Sequence, residues 1–129
     1  MLSARRNTHI STTTQGKQEY NIKIERSPNP DWNPLPRPNT VGVEVRVHLV
    51  SDTTFVAQLR FSPHATIDEH PGERSADIVC LAGEGFVSLG NETSAFRAGD
   101  QIFWPAGIPH RLWTQDASME TLMVERLDT

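Results

Sequence analysis

His110 stands where an imidazole can do chemistry. It closes the run Gly99-Asp-Gln-Ile-Phe-Trp-Pro105-Ala-Gly107-Ile-Pro-His110, in which a short β-prone segment, Gln101 to Trp104, lies between a Gly-Asp turn and a Pro-x-Gly turn. The glycine of the second turn accepts positive φ without steric cost. His110 then opens a strand whose alternation puts His110, Leu112 and Thr114 on one face and Arg111 and Trp113 on the other. An imidazole aimed into the mouth of a small barrel can ligate a metal, move a proton or donate a hydrogen bond to an anionic ligand.

A second chemically able stretch is Asp68-Glu69-His70-Pro71-Gly72-Glu73. On a regular strand Asp68 shares the face of His70, and the Pro71-Gly72 turn can swing the Glu73 carboxylate back toward the same place. The competing reading makes Asp68, Glu69 and Glu73 an acidic, solvated loop beside Arg74. Gln58 and Arg60 share a strand face, and an arginine turned into a cavity would select carboxylate or phosphate, whereas one turned outward is merely solvated. His48 alternates with Arg46 and Glu44 and reads as a surface residue. His64 reads as a turn residue, since histidine tolerates strained backbone better than bulky residues do. Trp104, Trp113 and Phe103 offer pocket walls or core packing. Cys80, the only cysteine, excludes an internal disulfide and a thiolate zinc site, and within Asp77-Ile-Val-Cys-Leu-Ala it reads as a small buried apolar residue.

The elements that must carry these residues are short strands. Val41, Val43, Val45 and Val47 alternate with Gly42, Glu44, Arg46 and His48, and further strand-like runs cover 55–61, 66–70, 76–82, 86–89, 94–97, 101–104, 110–113 and 120–126. Turns at Gly90-Asn91 and Gly99-Asp100 punctuate them. This spacing predicts an all-β sandwich or barrel, with no helical repeat. Residues 1–26 read as a mobile tail in which Tyr20 to Glu25 can form an edge strand, 27–40 as a proline-rich arm pinned by Trp32 and Leu35, and 41–129 as the barrel domain.

Composition narrows the functional classes. The chain has 129 residues and a net charge of −4, and its nine prolines exclude a helical bundle. Five basic and two acidic side chains fall in 1–26, leaving the remainder acidic, which argues against nucleic acid as a partner. No apolar run approaches a membrane span, and Met1-Leu-Ser-Ala-Arg-Arg carries no hydrophobic signal core, so the expectation is a cytoplasmic protein without membrane contact.

The spacing Gly99-x5-Pro105-x-Gly107-x2-His110 resembles the second signature motif of the cupin superfamily, whose closing asparagine is here Thr114. Counting back from Gly83, the family's first motif falls with His64 at its opening glycine, His70 at its first metal histidine, Gly72 at its second histidine and Ala76 at its glutamate. The first motif is thus eroded, in a resemblance covering roughly residues 41 to 126. It implies a single cupin-type double-stranded β-helix, a jelly-roll barrel that pairs as a homodimer, in which His70 and His110 converge. It implies further a divalent transition metal (Fe, Zn, Ni, Mn or Cu) on His70 and His110, with Asp68 or Glu73 in place of the missing ligands. Two functions stay open at this point. One is a metal-dependent oxygenase, isomerase or lyase acting on a small polar organic molecule; the other is a metal-free module that binds or senses such a ligand.

Overall fold

The structure, a computed structural model, describes residues 19–128. Of the tail expected over 1–26, residues 1–18 lie outside the described residues. Eight strands follow: β1 (Asn29–Pro34), β2 (Thr40–Val50), β3 (Thr54–Pro71), β4 (Ala76–Leu89), β5 (Glu92–Arg97), β6 (Gln101–Trp104), β7 (Pro109–Trp113) and β8 (Met119–Arg126). All pairings are antiparallel.

Two strands expected as separate pairs are each continuous and bent. The runs 55–61 and 66–70 are the two arms of β3, which turns at Ser62-Pro63-His64, and 76–82 and 86–89 are the arms of β4, which turns at Gly83-Glu84-Gly85. The first arms sandwich β8, with Leu59 opposite Thr121 and Ile78 opposite Met123. The second arms sandwich β7, with Ile67 opposite Leu112 and Val87 opposite Leu112. Because β3 and β4 are joined twice, once through each of these strands, the sheet closes into a jelly-roll barrel.

The corners explain themselves residue by residue. His64 adopts φ of 59°, the left-handed conformation that favours glycine, and its amide donates to the Gln115 carbonyl at 2.7 Å. Thr114 is buried beside it; its hydroxyl accepts from the Ala65 amide at 2.9 Å and donates to the Ser62 carbonyl at 2.6 Å. The threonine at the motif's asparagine position thus ties the β3 corner to the end of β7. In β4, Gly83 has φ of 75° and a Cβ there would run into the Ser118 carbonyl. Between the sheets lie Phe61, Ile78, Leu112 and Met119, each fully buried and each contributing about 1.5–3 kcal/mol relative to exposure.

Three expectations are corrected at the barrel's edge. Tyr20 to Glu25 forms no strand; Tyr20, Ile22 and Ile24 are exposed. The strand lies instead in the arm, where β1 pairs with β2 despite its prolines, because Asn29 and Asn33 face the ladder and Leu35 continues it by donating to Val43. Val41 is exposed although Val43 and Val45 are buried, since a bulge at Gly42, φ 71°, breaks the alternation. Trp32 does hold the arm down: the guanidinium groups of Arg46 and Arg60 lie over its ring at 4.7 and 4.3 Å.

Replacing Thr114 by valine keeps its shape but leaves the buried Ala65 amide without its acceptor. Urea denaturation should show a loss of about 1–3 kcal/mol with an unchanged m-value; a neutral substitution would remove the hydroxyl's role in the corner.

Candidate functional site

One end of the barrel holds a cavity of about 490 Å³. The arm supplies Leu35 and Arg37, β2 supplies Val45 and Val47, β3 supplies Phe55, Leu59, Ile67 and His70, and the rest of the wall includes Gly72, Arg74, Ala76, Trp104, His110, Met123 and Glu125. The lining is mainly apolar with a few convergent polar groups, the composition of a small-molecule pocket. A second hollow of about 610 Å³ near the strand corners contains no histidine.

The structure brings His70 and His110 face to edge. They are register partners across β3 and β7, and their ring centroids lie 4.5 Å apart with planes at 69°. Trp104 covers the other side of His110, stacked at 3.9 Å and 14°. Each imidazole is oriented by its own backbone: His70 Nδ1 lies 2.9 Å from the Asp68 carbonyl and His110 Nδ1 lies 3.1 Å from the Ile108 carbonyl. A carbonyl only accepts, so Nδ1 of each neutral ring carries the hydrogen and Nε2 is left with its lone pair. His110 is 4% exposed. Its pKa is lowered from 6.5 to about 4, first by burial, then by the neighbouring His70, with Arg37 adding repulsion and the Ile108 carbonyl opposing the shift.

Gly72 decides what can approach. A Cβ at this position would lie 2.8 Å from His110 Cε1 and 3.6 Å from Nε2, so only glycine leaves that edge of the ring clear. Its carbonyl accepts from the Gly107 amide at 2.6 Å, which fixes the loop after β3 against the Pro-x-Gly turn.

Asp68 and Glu73 do not join the pair. A bulge between Ile67 and His70 breaks the alternation, so Ile67 and His70 face the cavity while Asp68 is exposed. The Asp68 carboxylate accepts from the Thr66 hydroxyl at 3.0 Å and lies 3.7 Å from Arg111 Nε on the outer surface. Glu73 is exposed and lines no part of the cavity. Among the described residues no group of three or more His, Cys, Asp or Glu gathers as a metal cage. Metal sites of this kind rest on three or four protein ligands, and the residues present, two imidazoles without a converging carboxylate, do not fit one.

The remaining candidates fall elsewhere. Arg60 pairs with Glu44 at 2.6 Å, and His48 lies 2.9 Å from Gln58 Oε1, both on the outer face. Trp113 stacks on Phe86 outside the barrel, and Phe103 is half exposed. Cys80 is buried, and burial pushes its thiol pKa up, leaving it inert. The sequence reading missed Arg37, Arg74 and Glu125 as wall residues. Only the stiff Pro36-Arg37-Pro38 frame signalled one of them.

The family model described as "Cupin domain" matches residues 57–125. The fold is similar to that of the polyketide cyclase RemF from Streptomyces resistomycificus, at 20% identity over 83% of this chain and 80% of that one, TM-score 0.73. It is similar also to a cupin-2 domain protein from Rhodospirillum rubrum, at 16% identity over 82% and 75%, TM-score 0.69. A third likeness is to the DMSP lyase DddQ from Ruegeria pomeroyi DSS-3, at 21% identity over 77% and 58%, TM-score 0.67. At these identities the likeness is one of fold. No curated sequence matches the chain closely enough to count as a relative. Among the described residues no helix is long and apolar enough to cross a membrane.

The buried imidazole makes stability fall with acid. An unfolded histidine takes its proton near pH 6.5, whereas native His110 stays neutral until about pH 4. Between those values the unfolded state binds the extra proton, so stability drops as pH falls, by something of the order of 3 kcal/mol over the whole window. His110→Gln should lose that component: the difference between wild-type and variant stability, from urea titrations at several pH values, should shrink as pH falls. A constant difference would contradict the burial of a neutral ring.

Proposed function

This chain belongs to the cupin domain family, and from that premise we propose that it acts on a small organic molecule in the barrel cavity through a metal-independent pair of imidazoles, His110 and His70. The observation that carries the reading is their edge-to-face contact at a cavity wall, with no third His, Cys, Asp or Glu gathered with them among the described residues. With each Nδ1 committed to a backbone carbonyl, Nε2 is the atom each neutral ring can offer to a ligand, and an Nε2 that takes a proton from a carbon or hydroxyl can return it to another atom of the same molecule.

His110 is positioned to accept. It is neutral near pH 7, its Nε2 lone pair lies at the edge that Gly72 leaves open, and Trp104 prevents the ring from turning away. Isomerisation, elimination and ring closure all proceed through such a proton transfer, and RemF and DddQ, named as a cyclase and a lyase, support small-molecule chemistry on this fold. The weak basicity of His110 favours one alternative, a binding or sensor module that uses the same cavity without turnover. The metal-dependent alternative would recruit Asp68 or Glu73 to His70 and His110, against the Asp68 pairing with Arg111. The assembly we associate with this reading is a homodimer in the cytoplasm. The exposed Tyr20, Ile22 and Ile24 beside the arm support the pairing, and a single buried thiol suits a reducing compartment.

Loading the purified, untagged protein separately with zinc, nickel, manganese and ferrous iron, followed by desalting and elemental analysis, should leave less than about one-tenth of an equivalent per chain. One tightly held metal per chain, lost in both His70→Ala and His110→Ala, would overturn the proposal in favour of the metal-dependent enzyme.

A further inference from the structure

We infer that the cavity takes an organic acid, an apolar body carrying one anionic group, and that Arg37 receives that group at the mouth. The inference rests on the small-molecule reading above and adds the charge and polarity of the ligand. Arg37 lies in the arm between Pro36 and Pro38, whose rings fix their own φ angles, and its amide donates to the Leu35 carbonyl at 2.9 Å. A short stiff segment therefore presents the guanidinium at the cavity edge, where Arg37 is part of the wall.

Most other arginines of the barrel are occupied, and Arg97, exposed on β5, lines no part of the cavity. Arg60 is paired with Glu44, Arg111 lies beside Asp68, Arg126 is bonded to Asp77, and Arg74 donates to the Leu127 carbonyl. The Arg37 side chain has no hydrogen bond or ion pair among the described residues. Its charge nevertheless reaches the interior, for it contributes to the lowered pKa of His110. The wall holds two guanidinium groups, Arg37 and Arg74, against one carboxylate, Glu125, with His110 neutral. Electrostatically the mouth therefore favours an anion. Deeper in, Val45, Val47, Phe55, Leu59 and Met123 offer only hydrocarbon and ring surface, which suits an apolar body and excludes a polyol or a multiply charged metabolite. A guanidinium matches the two oxygens of a carboxylate in a bidentate pair, so a carboxylic acid is the best single choice.

The test compares matched ligands that differ only in charge. Benzoate, 2-naphthoate and octanoate are each titrated against their neutral primary amides by ligand-observed NMR at low ionic strength and near-neutral pH, on wild type, Arg37→Gln and, as a control on an exposed arginine away from the cavity, Arg97→Gln. At least one acid should bind about five- to tenfold more tightly than its amide, as a charged hydrogen bond at a partly exposed site provides. In Arg37→Gln that ratio should fall toward one while the amide's own affinity stays put; in Arg97→Gln it should be retained. Equal binding of acid and amide to wild type, or a ratio unaltered in Arg37→Gln, overturns the inference and leaves the cavity reading standing. Failure of every probe to bind wild type overturns both.

Discussion

The barrel depends on two strands being shared by two layers. β3 and β4 each bend once, and both pair on one side of the bend with β8 and on the other with β7. Closure therefore requires two corners, and corners are where an extended backbone meets steric trouble. The chain meets it with Gly83 and with His64 in left-handed conformation. Thr114 then supplies both a donor and an acceptor to the peptide groups that the β3 bend displaces from the ladder. With the corners fixed, β7 is fixed, and His110 with it.

The site is a set of local constraints superimposed on that frame. Neither imidazole relies on a distant side chain for this hydrogen bond, because each Nδ1 faces a backbone carbonyl two residues earlier in the chain. Trp104 arrives from β6, held opposite Ala76 on β4, and closes one side of His110. Its indole Nε1 is buried with no hydrogen-bond partner among the described residues, a cost of about 1–3 kcal/mol that packing alone does not explain. The stacked ring, not the indole donor, is what this position provides.

Much of the barrel was legible in the sequence because alternation and turn residues are local signals. The Pro-x-Gly turn placed His110 at the start of a strand, and the count back from Gly83 placed His70 across from it. The failures have a common physical cause. Bulges insert a residue into one strand only, and nothing in the composition of Asp68-Glu69 or of Val41-Gly42 announces which residue the partner will skip, so Asp68 and Val41 were assigned to the wrong face. Two-armed strands were read as four, since Ser62-Pro63 looks like an ending when only one chain is seen. The cavity arginines were missed for another reason: Arg37 and Arg74 lie on connecting segments, where periodicity carries no information about direction.

The hydrogen bond from Gly107 to the Gly72 carbonyl joins two connections that are far apart along the chain. One is the stretch between β3 and β4, the other the stretch between β6 and β7. Their lengths are consequently not independent quantities. An inserted residue in either would slide one peptide past the other, unseat the bond and shift His110 relative to the ring edge it presents. Insertions that this architecture tolerates must then occur in compensating pairs or at other tips, such as Gly90-Asn91, and the two connections behave as a single heritable unit.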